Sequence, residues 1–184
     1  MAGTTPRSSP RGQMARYVAF LRGVSPMNAK MPELKRCFES ANFSDVRTLL
    51  TSGNVVFTAR SASADSLQRR AEAAMRRELP RVFSTFIREA THLQQLIDSD
   101  PYAQFELPPE AKRVVSFLRA PIDTPVRLPI EQAGGSILAM TPSAVLSAYI
   151  PSADAPAFMR LLERILGADI TTRTLDTVRK CAWA

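Results

Sequence analysis

The order of apolar runs and helical patterns over the first ninety residues is the strongest constraint on the fold of this 184-residue chain. Apolar or β-branched runs predict strands at residues 16–21, 46–50, 54–58 and 82–87. Apolar positions at helical spacing predict two helices, which begin near Pro32 and Ser63. Right-handed crossovers fold the order β-α-β-β-α-β most simply into a four-stranded antiparallel sheet with both helices on one face. This arrangement is the ferredoxin-like plait.

The second half of the chain predicts a degenerate copy of the same plan. Strands are expected at residues 113–118, 137–140, 144–150 and 170–173, with a helix capped by Asp154 and a C-terminal helix over 175–183. Where the first half has its first helix, this half has proline and glycine, which oppose one: Pro121, Pro125, Pro129, Gly134 and Gly135. The sequence therefore predicts an α+β protein of two tandem ferredoxin-like domains, the second having lost or shortened a helix.

Composition divides the chain further. Residues 1–14 are rich in Arg, Ser, Thr and Pro and are predicted to form a disordered tail, with Met14 as an alternative start. The first plait then covers 15–90. A short helix over 93–97, capped by Thr91, and a proline-rich connector occupy 91–110. The second domain covers 111–184.

Several classes of protein are disfavoured by composition. The chain has no run of about 18 apolar residues and no apolar segment near its start, so we expect a cytoplasmic protein without a membrane span or secretory signal. Cys37 and Cys181 are far apart in sequence, which favours reduced thiols over a disulfide or a thiolate zinc site. We expect neither a metal nor a cofactor.

Positive charge is concentrated in the first half. Residues 1–92 contain 15 basic and 7 acidic side chains, whereas residues 93–184 contain 9 and 10. Much of the surplus lies on the second predicted helix and just beyond it, at Arg69, Arg70, Arg76, Arg77 and Arg81. This basic face is either a phosphate-binding surface for nucleic acid or an ordinary solvated helix face.

The plait topology predicts one polar edge. The third strand of a plait lies beside the first and antiparallel to it, so Arg22 and Gly23 should lie near the turn Ser52, Gly53 and Asn54. A guanidinium, a hydroxyl and an amide at one corner can bind a small carboxylate or phosphate. The alternative is that Arg22 pairs with a carboxylate such as Glu33, while the turn residues only shape the hairpin.

The corresponding edge of the second domain contains Thr171, Thr172 and Arg173. If that domain is a true copy, these residues begin its last strand near Arg119, at the end of its own first strand. They are therefore second-domain candidates for the same kind of binding.

Several spaced motifs together resemble a known family. They are YVAFLRGV at 17–24, MPEL at 31–34, VRT at 46–48, SGNVVF at 52–57, TTR at 171–173 and TV at 177–178. The chain resembles the bacterial family named domain of unknown function 1697, from Arg16 nearly to the C-terminus. The resemblance implies two tandem plait-like domains. It implies no activity, because the family is uncharacterised.

Three functions stay open at this point. An RNA-recognition sheet stacks bases on aromatic side chains, but Asn54, Val56 and Ala59 occupy the stacking positions here, which argues against sequence-specific RNA binding and leaves a weak phosphate attraction. An enzyme acting on a small anionic substrate lacks an obvious base, since His92 is the single histidine.

The third function, which we prefer, is a non-catalytic binding or assembly module for a small anion or a protein partner. The first and third strands are apolar on both faces, so the sheet face away from the helices should also be covered. Either the second plait or a second subunit would cover it, giving a monomer or a homodimer.

Overall fold

The computed structural model describes residues 12–123, 125–153 and 155–184. Most of the predicted N-terminal tail and the predicted cap Asp154 lie outside these residues. In the described part the chain is a mixed α+β protein with two antiparallel sheets and five helices. The elements are β1 Met14–Leu21, α1 Met31–Ser40, β2 Ser44–Leu49, β3 Asn54–Arg60, α2 Ala64–Glu78, β4 Thr85–Glu89, α3 Ala90–Asp98, β5 Lys112–Leu118, β6 Ile130–Gln132, β7 Gly135–Met140, β8 Ala144–Tyr149, α4 Ala155–Leu166, β9 Ile170–Thr174 and α5 Leu175–Ala182.

The first sheet has the strand order β2-β3-β1-β4. Helices α1 and α2 bury their apolar positions against one face of it, in a core that includes Leu34, Phe38, Phe57 and Leu67. The predicted cap of α2 is confirmed, because the Ser63 hydroxyl accepts a hydrogen bond from the Ser66 amide at 3.2 Å. The helix cap and the spacing of apolar residues therefore predicted the two helices of this half correctly.

Some element boundaries in this half differ from the prediction. Strand β1 begins two residues earlier than expected, because Met14 still pairs with Arg60. Strand β4 covers 85–89, not 82–87. Its partner β1 ends at Leu21, which pairs with Thr85, so the residues before Thr85 have no strand to pair with.

Helix α3 follows β4 without a loop, which the sequence did not predict. It begins at Ala90, and Glu89 rather than Thr91 occupies the N-cap position. Thr91 lies in the first turn, where its hydroxyl donates to a Glu89 carboxylate oxygen at 3.1 Å. The early start places Ala90 and Leu93 in the buried part of the protein.

The second sheet has the strand order β6-β7-β8-β5-β9. The predicted hairpin about Thr141 is confirmed as the antiparallel pair β7 and β8. Among the described residues between β5 and β7 there is no helix, and the short strand β6, absent from the prediction, pairs with β7. Helix α4 packs Phe158, Leu161 and Leu162 against one face of this sheet.

The two sheets pack against each other with the faces that α1, α2 and α4 leave open. Val18, Phe20, Val56 and Phe86 of the first sheet share one core with side chains of the second sheet and of α3 and α5. The rings of Phe20 and Phe117 stack at 4.5 Å with an interplanar angle of 7°. The prediction of a covered second face is therefore confirmed, and the second half of the same chain covers it.

Candidate anion-binding cleft between the two halves

The predicted proximity of the first and third strands is confirmed by their register. Phe20 pairs with Asn54, and the Leu21 amide donates to the Gly53 carbonyl at 2.8 Å. The turn between β2 and β3 is tight at this point. Gly53 has φ +79°, and a Cβ there would lie 2.7 Å from the Cβ of Val24. Only glycine fits this backbone and this contact without displacing a neighbour.

Asn54 is fully buried, and its amide is occupied by protein groups. Its Nδ2 donates to the Leu49 carbonyl at 3.0 Å and to the Ser52 hydroxyl at 3.1 Å. Its Oδ1 accepts from Nε of Arg173 at 2.8 Å. The guanidinium at this corner therefore comes from the second half of the chain, and not from Arg22 as the sequence analysis predicted.

Arg173 makes an extensive set of hydrogen bonds. Its Nη2 donates to the carbonyl oxygens of Leu21 at 2.7 Å and Ser52 at 2.9 Å. Its Nη1 donates to the Thr171 hydroxyl at 2.9 Å and to the Thr172 carbonyl at 3.0 Å. The side chain thus connects β9 to the ends of β1 and β3 through neutral acceptors.

No carboxylate pairs with Arg173 in the described part of the chain. Burial lowers the pKa of its guanidinium to about 10, which leaves the group charged at neutral pH. The neutral acceptors and the ring of Phe20, 5.8 Å from the guanidinium carbon, stabilise this charge without neutralising it. The corner is therefore a source of uncompensated positive charge.

Arg22 points to a different part of the second half. Its Nη1 donates to the Ile170 carbonyl at 2.7 Å, and its Nη2 forms an ion pair with Glu163 of α4 at 2.7 Å. Within the described residues it has no hydrogen bond to Ser52 or Asn54. The alternative that Arg22 pairs with a carboxylate is correct, but the carboxylate is Glu163 and not Glu33.

A cleft of about 310 Å³ opens between these groups. Five of the predicted site residues line it, together with Met159, Glu163 and Ile170: Arg22, Gly23, Thr171, Thr172 and Arg173. Ser52, Gly53 and Asn54 do not line the cleft, although Arg173 donates to Asn54 Oδ1 and to the Ser52 carbonyl. The two guanidinium groups and one carboxylate give the cleft a net charge of +1.

Two further arginines connect the halves: Arg88, which the sequence analysis did not single out, and Arg119, whose predicted place at the end of β5 beside the start of β9 is confirmed by the pairing of Leu118 with Ile170. Arg88 of β4 donates to the carbonyl oxygens of Leu118 at 2.5 Å and Ser143 at 2.8 Å, and burial lowers its pKa to about 10. Arg119 forms a largely buried ion pair with Glu72 of α2. Its Nη2 also donates to Oε2 of Glu72 at 3.0 Å, and the hydrogen bonding to this carboxylate raises the pKa of Arg119. Nothing in the local sequence of either residue indicated its partner, which lies at least 30 positions away.

The predicted basic face is only partly free. Arg69 pairs with Asp65, and Arg70 donates to the Ala41 carbonyl at 2.8 Å while lying 4.6 Å from the centre of the Phe43 ring. The three others are exposed and form no ion pair within the described residues: Arg76, Arg77 and Arg81. The surface available to a polyanion is therefore smaller than the sequence indicated.

Other candidate groups are positioned away from the cleft. His92 is exposed on α3, and the thiols of Cys37 and Cys181 are buried and unpaired. In the part of the chain that the structure describes, no three His, Cys, Asp or Glu side chains come close enough to hold a metal ion. No helix there is both long and apolar enough to cross a bilayer.

The fold and the cleft define an α+β protein in which two antiparallel sheets pack face to face and arginines from both halves meet at their junction. The chain belongs to the family described as protein of unknown function (DUF1697), whose model matches residues 14–137. The match ends within β7, so it includes the whole first sheet and part of the second. No curated protein matches the chain.

A solved structure supports the fold. The conserved bacterial protein SP0830 from Streptococcus pneumoniae is similar over 93% of this chain and 98% of its own, with a TM-score of 0.69. The two sequences are 17% identical. At this identity the similarity concerns the arrangement of the elements and carries no activity from one protein to the other.

Proposed function

We propose that this protein is a non-catalytic binding module for a small anion, a carboxylate or a phosphate, held in the cleft between its halves. One observation carries the proposal: Arg173 is charged and half-buried, has no carboxylate partner within the described residues, and lies at the wall of a cleft that also contains Arg22. Buried positive charge attracts anions strongly because the local dielectric is low. The anion would balance the positive charge that remains after Glu163 pairs with Arg22.

Arg22 is the group that would contact the anion directly. Its side chain is 35% exposed, and its Nε donates to no group within the described residues. A guanidinium in this state can turn its remaining N–H groups to a planar carboxylate or a phosphate. Arg173 would act through its charge, because its N–H groups are occupied by protein acceptors.

A binding role fits this cleft better than a catalytic one. Glu163 is the single carboxylate among the residues that line it, and it is paired with Arg22. General base catalysis needs a group that is free to take a proton within hydrogen-bond reach of the substrate. An enzyme acting on a small anionic substrate therefore stays the weaker alternative.

The same topology supports our proposal that the two halves are tandem plaits. The order β2-β3-β1-β4 of the first sheet corresponds to β7-β8-β5-β9 in the second. In both sheets a helix, α2 or α4, precedes the last strand. The second copy would have lost the counterpart of α1 and gained β6 at its outer edge.

Calorimetric titration with phosphate, sulfate and citrate at constant ionic strength tests the anion site. We expect Arg22→Gln to remove the binding event at this cleft, and Glu163→Gln to increase the affinity of that event severalfold because it removes the competing carboxylate. Arg36→Gln is the matched control, since Arg36 is exposed on α1 and forms no ion pair within the described residues. Equal affinity of the wild type and Arg22→Gln would contradict the proposal.

A second candidate function rests on Arg76, Arg77 and Arg81. These exposed, unpaired side chains would attract nucleic-acid phosphates without reading sequence, because the sheet face that an RNA-recognition module uses is buried here under the second sheet. Such binding should weaken steeply as salt rises. Oligonucleotide affinity that does not change between low and high salt would contradict it.

A further inference from the structure

A second cleft, of about 330 Å³, lies where β5 begins, β9 ends and α5 begins. Lys112, Arg113 and Arg179 line it together with Asp176. The β-sheet register explains the grouping, because Val114 pairs with Thr174 and so brings the start of β5 beside the junction of β9 with α5. Residues that are more than 60 positions apart in sequence thus contribute to one concave surface.

Among the described residues that line this cleft, positive charges outnumber negative ones. Lys112 and Arg113 are exposed and form no ion pair within the described residues. Asp176 is the single carboxylate in the lining, and its closer partner is Lys180 at 2.9 Å, whereas Arg179 lies 4.0 Å away. Three cations therefore surround the cleft while the one nearby anion is already paired.

This concentration of charge contrasts with the rest of the second half. Residues 93–184 contain 9 basic and 10 acidic side chains, so a general basic surplus does not account for the group. One of these cations, Arg113, also packs against a buried aromatic ring. Arg113 lies 6.0 Å from the centre of the ring of Tyr102, which is buried and donates its hydroxyl to the Val114 carbonyl at 2.5 Å.

We propose that this second cleft is a phosphate-binding site, for an inorganic phosphate or the phosphoryl group of a larger ligand. A phosphate monoester carries up to two negative charges and three acceptor oxygens. The two guanidinium groups supply the matching charge and several donors, and the Lys112 ammonium adds positive charge at the start of β5. Thr174 is not counted among the ligands, because its hydroxyl accepts from the Thr177 amide at 3.2 Å as the cap of α5.

The site is independent of the cleft between the halves. Arg173 lines that cleft and the next residue, Thr174, lines the second one, and the two clefts have no lining residue in common. Substitutions at Arg113 and Arg179 therefore leave Arg22 and Glu163 intact. Failure of one proposal is distinguishable from failure of the other because each has its own variants.

The test is calorimetric titration of the whole protein with inorganic phosphate, adenosine 5′-monophosphate and a twelve-nucleotide single strand, all at constant ionic strength. The variant is Arg113→Gln with Arg179→Gln. The control is Arg160→Gln with Arg164→Gln, which removes the same charge from two exposed arginines of α4 that form no ion pair within the described residues. Circular dichroism and thermal midpoints establish that both variants fold.

We expect the Arg113 and Arg179 double variant to lose at least tenfold in affinity for the phosphate-binding event that Arg22→Gln leaves in place, and the control to stay within twofold of the wild type. Replacing both residues by Lys, which keeps the charge, should restore most of the affinity. A preference among the three probes identifies the source of the phosphoryl group. Equal loss in the variant and in the control, or no phosphate binding by the wild type, would overturn the proposal.

Should the double Gln variant unfold, Lys112→Gln supplies the second measurement. Lys112 is exposed, and within the described residues its side chain has no hydrogen bond or ion pair. The same comparison then applies, with Lys35→Gln on α1 as its control. A phosphate affinity unchanged by Lys112→Gln under those conditions would also contradict the proposal.

Discussion

Arg173 donates from Nε to Oδ1 of Asn54 at 2.8 Å, and this contact joins the last strand of one sheet to the third strand of the other. Asn54 is fully buried and Arg173 is half-buried, and the guanidinium has no carboxylate partner among the described residues. The bond therefore fixes the relative position of the two sheets at the edge where the candidate anion cleft opens. Stability and binding are linked at this one side chain.

Replacing Arg173 by Met should destabilise the protein. Asn54 Oδ1 and the carbonyl oxygen of Leu21 would lose a donor while staying buried, and leaving buried polar groups unpaired costs about 1–3 kcal/mol each. We expect the free energy of unfolding in urea to fall by about 2–4 kcal/mol. Arg164→Met, at an exposed position on α4, should change it by less than about 0.5 kcal/mol. Equal stabilities of the two variants would show that the Arg173 contacts are not structural.

Gly53→Ala and Gly23→Ala separate backbone strain from close packing. Both glycines have φ +79°, but a Cβ at Gly23 meets nothing within 4 Å, whereas a Cβ at Gly53 would overlap Val24. Gly23→Ala should cost about 1 kcal/mol from the backbone alone. Gly53→Ala should cost about 1–3 kcal/mol more because the core around Val24 must shift. Thermal unfolding of both variants measures the difference, and similar losses would contradict the predicted overlap.

The stacked rings of Phe20 and Phe117 should couple the two halves energetically. Truncating a buried Phe to Ala typically costs about 3–5 kcal/mol, so each single variant should unfold at clearly lower denaturant. Because the rings contact each other, the double variant should lose less than the sum of the singles. Met27→Ala, at a side chain that is 94% exposed, is the neutral control. Strict additivity of the two Phe substitutions would argue that the sheets do not pack through these rings.

The buried thiols predict a loss of stability in alkali. Burial raises the pKa of Cys37 and of Cys181 from 9.0 to about 11 each, so the native state holds protons that the unfolded chain releases. Their contribution to the unfolding free energy is complete below pH 9 and is lost as the pH rises toward 11. Urea unfolding between pH 8 and pH 11 measures this slope.

The double variant Cys37→Ala, Cys181→Ala is the comparison for that experiment. It should show a shallower fall of stability across the same pH range because it lacks the two thiols. The other groups whose pKa burial shifts are unchanged in it: Tyr102, Arg88 and Arg173. A slope identical to that of the wild type would mean that the thiols titrate as if they were exposed. The variant also serves as the reference for any labelling of the native protein.

The local features of this fold could be predicted from sequence because their causes are local. The Ser63 cap, the helical spacing of Leu67, the turn at Gly53 and the proline-rich segment after β5 each specify their own conformation. The antiparallel proximity of β1 and β3 followed from the predicted topology, whereas their register is known only from the structure. Element ends were less predictable because pairing decides them, as for β4, which begins only where Leu21 offers a partner.

The polar contacts could not be predicted because they depend on how the two halves meet. Arg22 and Arg173 are both candidates from sequence, yet nothing in their neighbourhoods says that Arg173 crosses to Asn54 while Arg22 crosses to Glu163. These partners are 119 and 141 positions apart in sequence. The prediction of a guanidinium at the Asn54 corner was correct in chemistry and wrong in the residue that supplies it.

Strand β9 has a consequence for any ligand of this protein, since Arg173 faces one cleft and Thr174 opens on the other. The Thr174 hydroxyl also caps α5 by accepting from the Thr177 amide at 3.2 Å. A substitution at either of the two neighbouring residues Arg173 and Thr174 must therefore preserve the backbone of β9 if the other cleft is to keep its shape.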